Sequence, residues 1–274
     1  MTTPDIAQRG LYLLGCGKMG SAMLSGWLEG GLPASAVWVT DPFPSPWLEE
    51  LSQAQGLHLN AGTPPSPAVA LLAVKPQMMD DALPALASLG GGDTLMLSVA
   101  AGTPLGRFEQ VFGAATPIVR AMPNTPAAIG KGITAIIGNG AAGEPHLALA
   151  QSLLSAIGEV IRLEREEQMD AVTAVSGSGP AYVFHMVEAM AAAGETQGLS
   201  PALAMQLARA TVSGAGALVE QSEESVSQLR INVTSPAGTT EAGLKVLMDE
   251  VRGLPPLLRA TVEAAAERSR ELGR

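Results

Sequence analysis

The 274-residue sequence is poor in the residues that build disulfides, metal sites and charged surfaces. Its single cysteine, Cys16, excludes an intramolecular disulfide and a cysteine-based zinc site. His58, His146 and His185 lie far apart, without HxxxH or HExxH spacing, so no metal is expected. Aromatic residues make up 3% and charged residues 15%, against a typical charged share of about 25%. The charge that is present leans acidic, 26 Asp and Glu against 16 Lys and Arg, a net of −10. That balance speaks against a nucleic-acid binder, which wants a basic stripe. No apolar run reads as a membrane span. Residues 171–187 lack Asp, Glu, Lys and Arg but are interrupted by Ser176-Gly177-Ser178-Gly179-Pro180. Asp5 and Arg9 precede a short apolar run that ends in glycines, which is not the pattern of a signal peptide. A cytoplasmic protein without membrane contact is expected.

What the chain does have is small apolar side chains. Hydrophobic residues make up 47%, mostly Ala, Leu, Val and Met, and there are 31 glycines. At roughly 100–200 residues per domain, the length allows one large domain or two ordinary ones. Such small side chains favour close packing or large buried interfaces, so an oligomer is expected.

In the first half, short strands alternate with helices. Leu11-Tyr12-Leu13-Leu14 stops at Gly15 and has the unbroken apolar character of a strand covered on both faces. Residues 17–30 carry Ala22, Met23, Leu24, Trp27 and Leu28 at helical spacing. Further strands are predicted at 37–39, 57–59, 68–74, 95–99 and 117–121, with a helix at 47–55. A pair at 133–137 and 159–163, flanking a helix near 146–157, extends the sheet. This alternation predicts an α/β domain with a mostly parallel sheet covered on both faces. After about Arg165 no strand pattern recurs. One long helix is predicted over 170–197, and Ser200-Pro201 starts another that runs to about Glu220. Two more follow at 239–250 and 254–272. Gly214 and Gly216 inside the second helix predict close approach of another helix.

Gly15-Cys16-Gly17-Lys18-Met19-Gly20 fits G-x-G-x-x-G, after a strand and at the start of a helix. The first Gly makes a tight turn, the second lets backbone approach a pyrophosphate, and the third packs helix on strand. The helix N-terminus then faces the phosphates. A purely structural glycine turn would give the same letters. Asp41 follows 21 residues after Gly20 at the end of the second strand, where an acid bonds the ribose 2′-OH of NAD and repels the 2′-phosphate of NADP. Ligands of open α/β sheets bind beyond the carboxyl ends of the strands. Those ends deliver Lys75-Pro76, Ala100-Ala101-Gly102 and Met122-Pro123-Asn124-Thr125-Pro126. By spacing alone, a plain surface cation is the lesser reading of Lys75.

Together, the glycine loop, Ala73-Val74-Lys75-Pro76 and Arg120-Ala121-Met122-Pro123-Asn124-Thr125-Pro126 resemble the Δ1-pyrroline-5-carboxylate reductase family. Ser176-Gly177-Ser178-Gly179-Pro180-Ala181-Tyr182 and Val233-Thr234-Ser235-Pro236-Ala237-Gly238-Thr239-Thr240 match its other two signatures, in the expected order. The resemblance implies a nicotinamide hydride, from NADPH or NADH, reducing a cyclic C=N bond to give L-proline. It implies an N-terminal Rossmann domain, residues 1–165, and an all-α dimerisation and substrate-binding domain, residues 166–274. It further implies a dimer with its active site at the subunit interface, and assembly of dimers into decamers.

The resemblance also assigns roles. Thr240 is placed on the ring nitrogen of the substrate, and Lys75 near cofactor and substrate carboxylate; these two are the expected catalytic groups. Ser235, Ala237, Gly238 and Thr239 form the carboxylate loop, Glu223 is the acid near the partner's site, and Asn124 lines the substrate and nicotinamide. Gly15, Gly17, Lys18, Met19, Gly20, Asp41, Ala73, Val74, Lys75, Pro76, Ala100, Met122 and Asn124 surround the cofactor. Lys75, Arg120 and helix N-termini are expected to supply positive potential for two anionic ligands. The chain departs from the family where Ala237-Gly238 replaces Gly-Gly, a small change provided that position 237 keeps φ below zero. Ser225-Val226 replaces His-Pro, Ile231 replaces an acid, and 60–68 is shortened. Two other readings compete. A β-hydroxyacid reductase usually wants a lysine on the interdomain helix, and no Lys lies between Lys131 and Lys245. A non-catalytic dinucleotide sensor would not need the loop at 235–240.

Overall fold

A computed structural model of the chain describes residues 4–273. Contacts divide it into two compact units. One reaches to Gly177 and takes back the chain from Ala266 onwards; the other is Ser178–Ala265.

The first unit is built on an eight-stranded sheet of order β3-β2-β1-β4-β5-β6-β7-β8. The strands are β1 Leu11–Leu14, β2 Val37–Thr40, β3 His58–Leu59, β4 Val69–Leu72, β5 Leu95–Ser98, β6 Ile118–Met122, β7 Gly132–Gly138 and β8 Gly158–Arg162. All neighbours pair in parallel except β6 and β7, which are antiparallel. The exception follows from chain length. Nine residues, 123–131, join β6 to β7, too few for the dozen or more that a parallel crossover needs. The helices of this unit are α1 Pro4–Arg9, α2 Lys18–Glu29, α3 Pro46–Gln55, α4 Met79–Ala82, α5 Leu105–Phe112, α6 Glu144–Leu154 and α7 Gln168–Val172. Of these, α1, α4 and α5 go beyond the helices that the sequence periodicity located.

The central strands are apolar throughout because both faces are covered. Leu11, Leu13, Val69 and Leu71 enter one buried cluster with Met23, Leu24 and Trp27 of α2. Tyr12, Leu14, Ala70 and Leu72 enter another with Leu83, Phe108 and Met169. Trp27 is 1% exposed and its Nε1 donates to Leu153 O at 2.8 Å, which fixes α2 against the α6 segment. Truncating such a residue costs roughly 3–5 kcal/mol.

The expected joint near Arg165 and the contact boundary after Gly177 differ for a physical reason. Residues 166–177 are bound to the sheet: Met169 is buried in the second cluster, and Glu166 Oε1 accepts from Arg120 Nη1 at 2.7 Å and from Leu105 N at 2.9 Å. The predicted helix over 170–197 is likewise broken. It consists of α7, a π-helical turn Thr173–Gly177, and α8 Gly179–Thr196.

The second unit contains α8, α9 Pro201–Gln221, α10 Val226–Asn232, α11 Thr239–Leu247 and most of α12 Leu254–Leu272. Ser200 caps α9, its side chain accepting from Leu203 N, with Pro201 in the first turn, as the sequence predicts. Ser225 caps α10 in the same way, so the departure from His-Pro still starts a helix. The expectation for Gly214 and Gly216 does not hold within this chain: a Cβ at either would meet nothing within 4 Å. The unit buries little. Phe184 is 63% exposed, and Met190, Leu207, Leu218, Val246 and Leu257 are exposed as well. By length and composition alone, α9 is apolar enough to span a membrane, although Arg209 interrupts it.

Candidate active site

The first unit brings most of the expected cofactor residues to the carboxyl edge of its sheet. Gly15 has φ +87°, and a Cβ there would stand 2.9 Å from Ala73 O and 3.0 Å from Val74 Cγ1. Gly20 is pressed against Gly15 O, with Ala73 Cβ 3.8 Å from where its own Cβ would be. The first and third glycines therefore allow β1, α2 and the end of β4 to touch. Gly17 differs: a Cβ there would meet nothing within 4 Å. It caps α2 without any side-chain cap bond, so the first-turn N–H groups at Lys18, Met19 and Gly20 have no side-chain cap. Open space, uncapped donors and a helix dipole fit a pyrophosphate.

Asp41 is turned towards this loop. Its Oδ2 accepts from Cys16 N at 2.7 Å and its Oδ1 from Phe43 N at 2.8 Å. Pro42 thus leaves the carboxylate facing the glycines. Asn60, which the sequence reading left without a role, clamps the Asp41 backbone. Its Oδ1 accepts from Asp41 N and its Nδ2 donates to Asp41 O, both at 3.0 Å. Asn60 adopts φ 51°, a left-handed conformation that Asn tolerates better than most residues. The Cys16 thiol is pushed up to about 12, first by burial and then by the nearby Asp41 charge. It is a buried structural thiol rather than a nucleophile.

Lys18 and Lys75 are exposed at the ends of this edge, and no ion pair engages either among the described residues. The side chain of Pro76 lies outside the described residues. Ala100 is buried after β5, its N donating to Ser98 Oγ at 3.3 Å. Arg120 departs from expectation. It is 7% exposed and ion-paired with Glu166 at 2.7 Å, so its charge is already matched. Met122 is half-buried, and its Cε lies 2.7 Å from where a Gly177 Cβ would be. The Asn124 side chain is engaged by Ile133 N and Ser176 O.

In the second unit, Ser235, Ala237, Gly238, Thr239 and Thr240 lead directly into α11. Gly238 is its N-cap, with no side-chain cap bond, and Gly238 N donates to Ser235 O at 3.0 Å. Thr240 is exposed. Ala237 has φ 57°, so the condition for a harmless exchange of Gly for Ala is not met. Its N–H donates to Glu241 Oε2 at 2.5 Å, and Glu241 Oε1 in turn lies 3.3 Å from Lys245 Nζ. Glu223 is exposed between α9 and α10, and no bond joins it to the loop among the described residues.

Comparison with known proteins agrees with this geometry. Residues 166–272 match the family described as pyrroline-5-carboxylate reductase dimerisation. Residues 11–102 match the family described as NADP oxidoreductase coenzyme F420-dependent. The chain is 38% identical to the pyrroline-5-carboxylate reductase of Pseudomonas aeruginosa, over 99% of this chain and 98% of that one. It is 47% identical to the Synechocystis enzyme over 75% of each chain. Among solved structures, a pyrroline-5-carboxylate reductase from Coxiella burnetii superposes with a TM-score of 0.90 at 34% identity, over 97% of this chain and 99% of that one. The Plasmodium falciparum enzyme with NADP bound gives 0.79 at 27%, over 98% and 99%. With motifs, fold and near-complete relatives in agreement, the chain belongs to the pyrroline-5-carboxylate reductase family.

Proposed function

We propose that the glycine-loop site of this reductase favours NADH over NADPH, and that residues 235–240 hold its substrate. As a member of the family, the enzyme reduces the C=N bond of Δ1-pyrroline-5-carboxylate to L-proline, the last step of proline biosynthesis. The observation that carries the cofactor preference is the Asp41 carboxylate, held 2.7 Å from Cys16 N on the glycine loop. From there it accepts a hydrogen bond from a ribose 2′-OH and repels a 2′-phosphate.

When bound, the reduced nicotinamide supplies the hydride for C5 of the imine. The protein's own contributions are binding, orientation and the proton. A protonated imine accepts hydride far better than a neutral one, and the Thr240 hydroxyl holds the ring nitrogen and helps deliver that proton. The N–H groups at the start of α11, with its helix dipole, take the substrate carboxylate. Lys18, Met19 and Gly20 offer amides to the pyrophosphate, while Lys75 adds positive charge for the anionic ligands. Glu223 serves the partner subunit's site, and association through the helical unit extends from dimers to a decamer in the cytoplasm. Initial rates with NADH and with NADPH, measured side by side on Δ1-pyrroline-5-carboxylate, test the preference. A higher kcat/KM with NADPH refutes it.

A further inference from the structure

Asn124 is used twice within the first unit. Its Oδ1 accepts from Ile133 N at 3.0 Å, and its Nδ2 donates to Ser176 O at 3.1 Å. One bond needs the acceptor end of the amide and the other needs the donor end, so the orientation is fixed. Asn124 stands two residues beyond β6, Ile133 lies in β7, and Ser176 belongs to the π-helical turn. One side chain thus ties three segments, the last of them 52 residues from the first.

The π-helical turn is the unusual partner. Such turns are rare and recur at functional sites. Here Thr173 Oγ1 donates back to Met169 O at 2.8 Å and Ser176 Oγ to Val172 O at 3.0 Å, a pattern that bends helices. At its last residue, Gly177 leaves the room that the Met122 methyl fills.

We propose that Asn124 is a positioning residue. Its bond to Ser176 O sets the Met122–Asn124 segment at the end of β6, and the side chain itself ligates neither nicotinamide nor substrate. This inference rests on reading the carboxyl edge of the sheet as the cofactor site.

Asn124→Asp tests it. The carboxylate still accepts from Ile133 N but sets an oxygen against the Ser176 carbonyl. Asn124→Ala removes both bonds. Three quantities are read: kcat, the Kd for NADH from fluorescence quenching, and amide hydrogen exchange over 173–177. Both variants should lose kcat by roughly ten- to a hundredfold, because a 1 Å misplacement costs up to about a hundredfold. The Kd for NADH should stay within about twofold, since binding and the chemical step separate in such measurements. Exchange over 173–177 should accelerate in Asn124→Asp, while the Ile133 amide keeps its protection. Unchanged kcat and exchange in Asn124→Asp overturn the inference. A Kd weakened about tenfold with unchanged exchange also overturns it, because Asn124 is then a ligand.

Gly17→Val separates this from the site reading. Its side chain enters open space and displaces no packed atom while the phosphate approach is blocked, and an unchanged far-UV CD spectrum checks that α2 still forms. If Gly17→Val still binds NADH, the site reading fails. If it loses NADH while the Asn124 variants behave as wild type, only the clasp fails.

Discussion

Replacing Asp41 by Asn should shift the cofactor preference towards NADPH. The half-buried carboxylate is fixed by Cys16 N at 2.7 Å and Phe43 N at 2.8 Å, so it is already aimed before any ligand arrives. Asn keeps one acceptor oxygen for these amides and removes the charge. Two unit charges 4 Å apart interact by about 1 kcal/mol in water and about 4 kcal/mol at an effective dielectric of 20. Asp41 is partly exposed, so the repulsion of a 2′-phosphate falls near the lower end, about 1–2 kcal/mol. At about 1.4 kcal/mol per tenfold, the ratio of kcat/KM for NADPH over NADH should rise roughly 5- to 30-fold. NADH should also lose some efficiency, because a charged acceptor for the ribose hydroxyl becomes neutral. The assay is steady-state oxidation of each cofactor at saturating substrate, with thermal unfolding as a control on the fold. An unchanged ratio in a folded variant would refute the assigned role of Asp41. Asp41→Ser should move the ratio the same way with lower absolute rates, since a short hydroxyl cannot reach both amides.

Three further outcomes are expected. Thr240→Ala should lower kcat by roughly 10²-fold, the low end for a group assisting proton transfer, without lowering Tm; unchanged steady-state kinetics would remove Thr240 from the mechanism. Ala237→Gly should leave stability equal or raise it by about 0.5 kcal/mol, because relief of left-handed strain outweighs the greater backbone entropy of glycine. Urea unfolding showing a loss of about 1 kcal/mol, as for a mid-helix Ala→Gly, would contradict the φ of 57°. Cys16 should resist iodoacetamide in the folded protein at neutral pH. Its folded pKa is raised from 9.0 to about 12, so its stabilising contribution is complete below 9.0 and is lost as pH rises from there towards about 12. Cys16→Ala should flatten that alkaline arm of the stability curve, and an equally steep arm would show that the thiol keeps its ordinary pKa.

The features legible in the sequence are those whose chemistry lies in contiguous backbone. The glycine loop is one: strand, turn and helix start are adjacent, so the three glycines declare their roles in order. The parallel sheet is another, since a strand covered on both faces must be apolar at every position, as Leu11–Leu14 and Val69–Leu72 are. What could not be read are contacts closed across distance. The Asn124–Ser176 bond spans 52 residues and the Arg120–Glu166 pair 46, and nothing local to either residue announces the partner. Ala237 fails differently, because the identity of a residue does not report the sign of its φ. The π-helical turn also escapes periodicity. A long Ala- and Met-rich stretch reads as one helix, and only the hydroxyls of Thr173 and Ser176, folded back on carbonyls four residues earlier, hint at the bend.

The charges sharpen this distinction. With a net charge of −10, an enzyme for two anionic ligands must gather its positive potential locally. Composition can raise that requirement but cannot say which cations meet it. Arg120, on the interior strand β6, is well placed by sequence, yet burial of a guanidinium demands a matched anion, and Glu166 provides it at 2.7 Å. Its charge therefore holds the 166 segment to the sheet. Lys18 and Lys75 differ because they sit at helix start and strand end, exposed, where water carries the cost of the charge until a ligand arrives. Around the glycine loop, the exposed positive charge is that of Lys18, Lys75 and the uncapped N-terminus of α2, an attraction for anions that salt should screen.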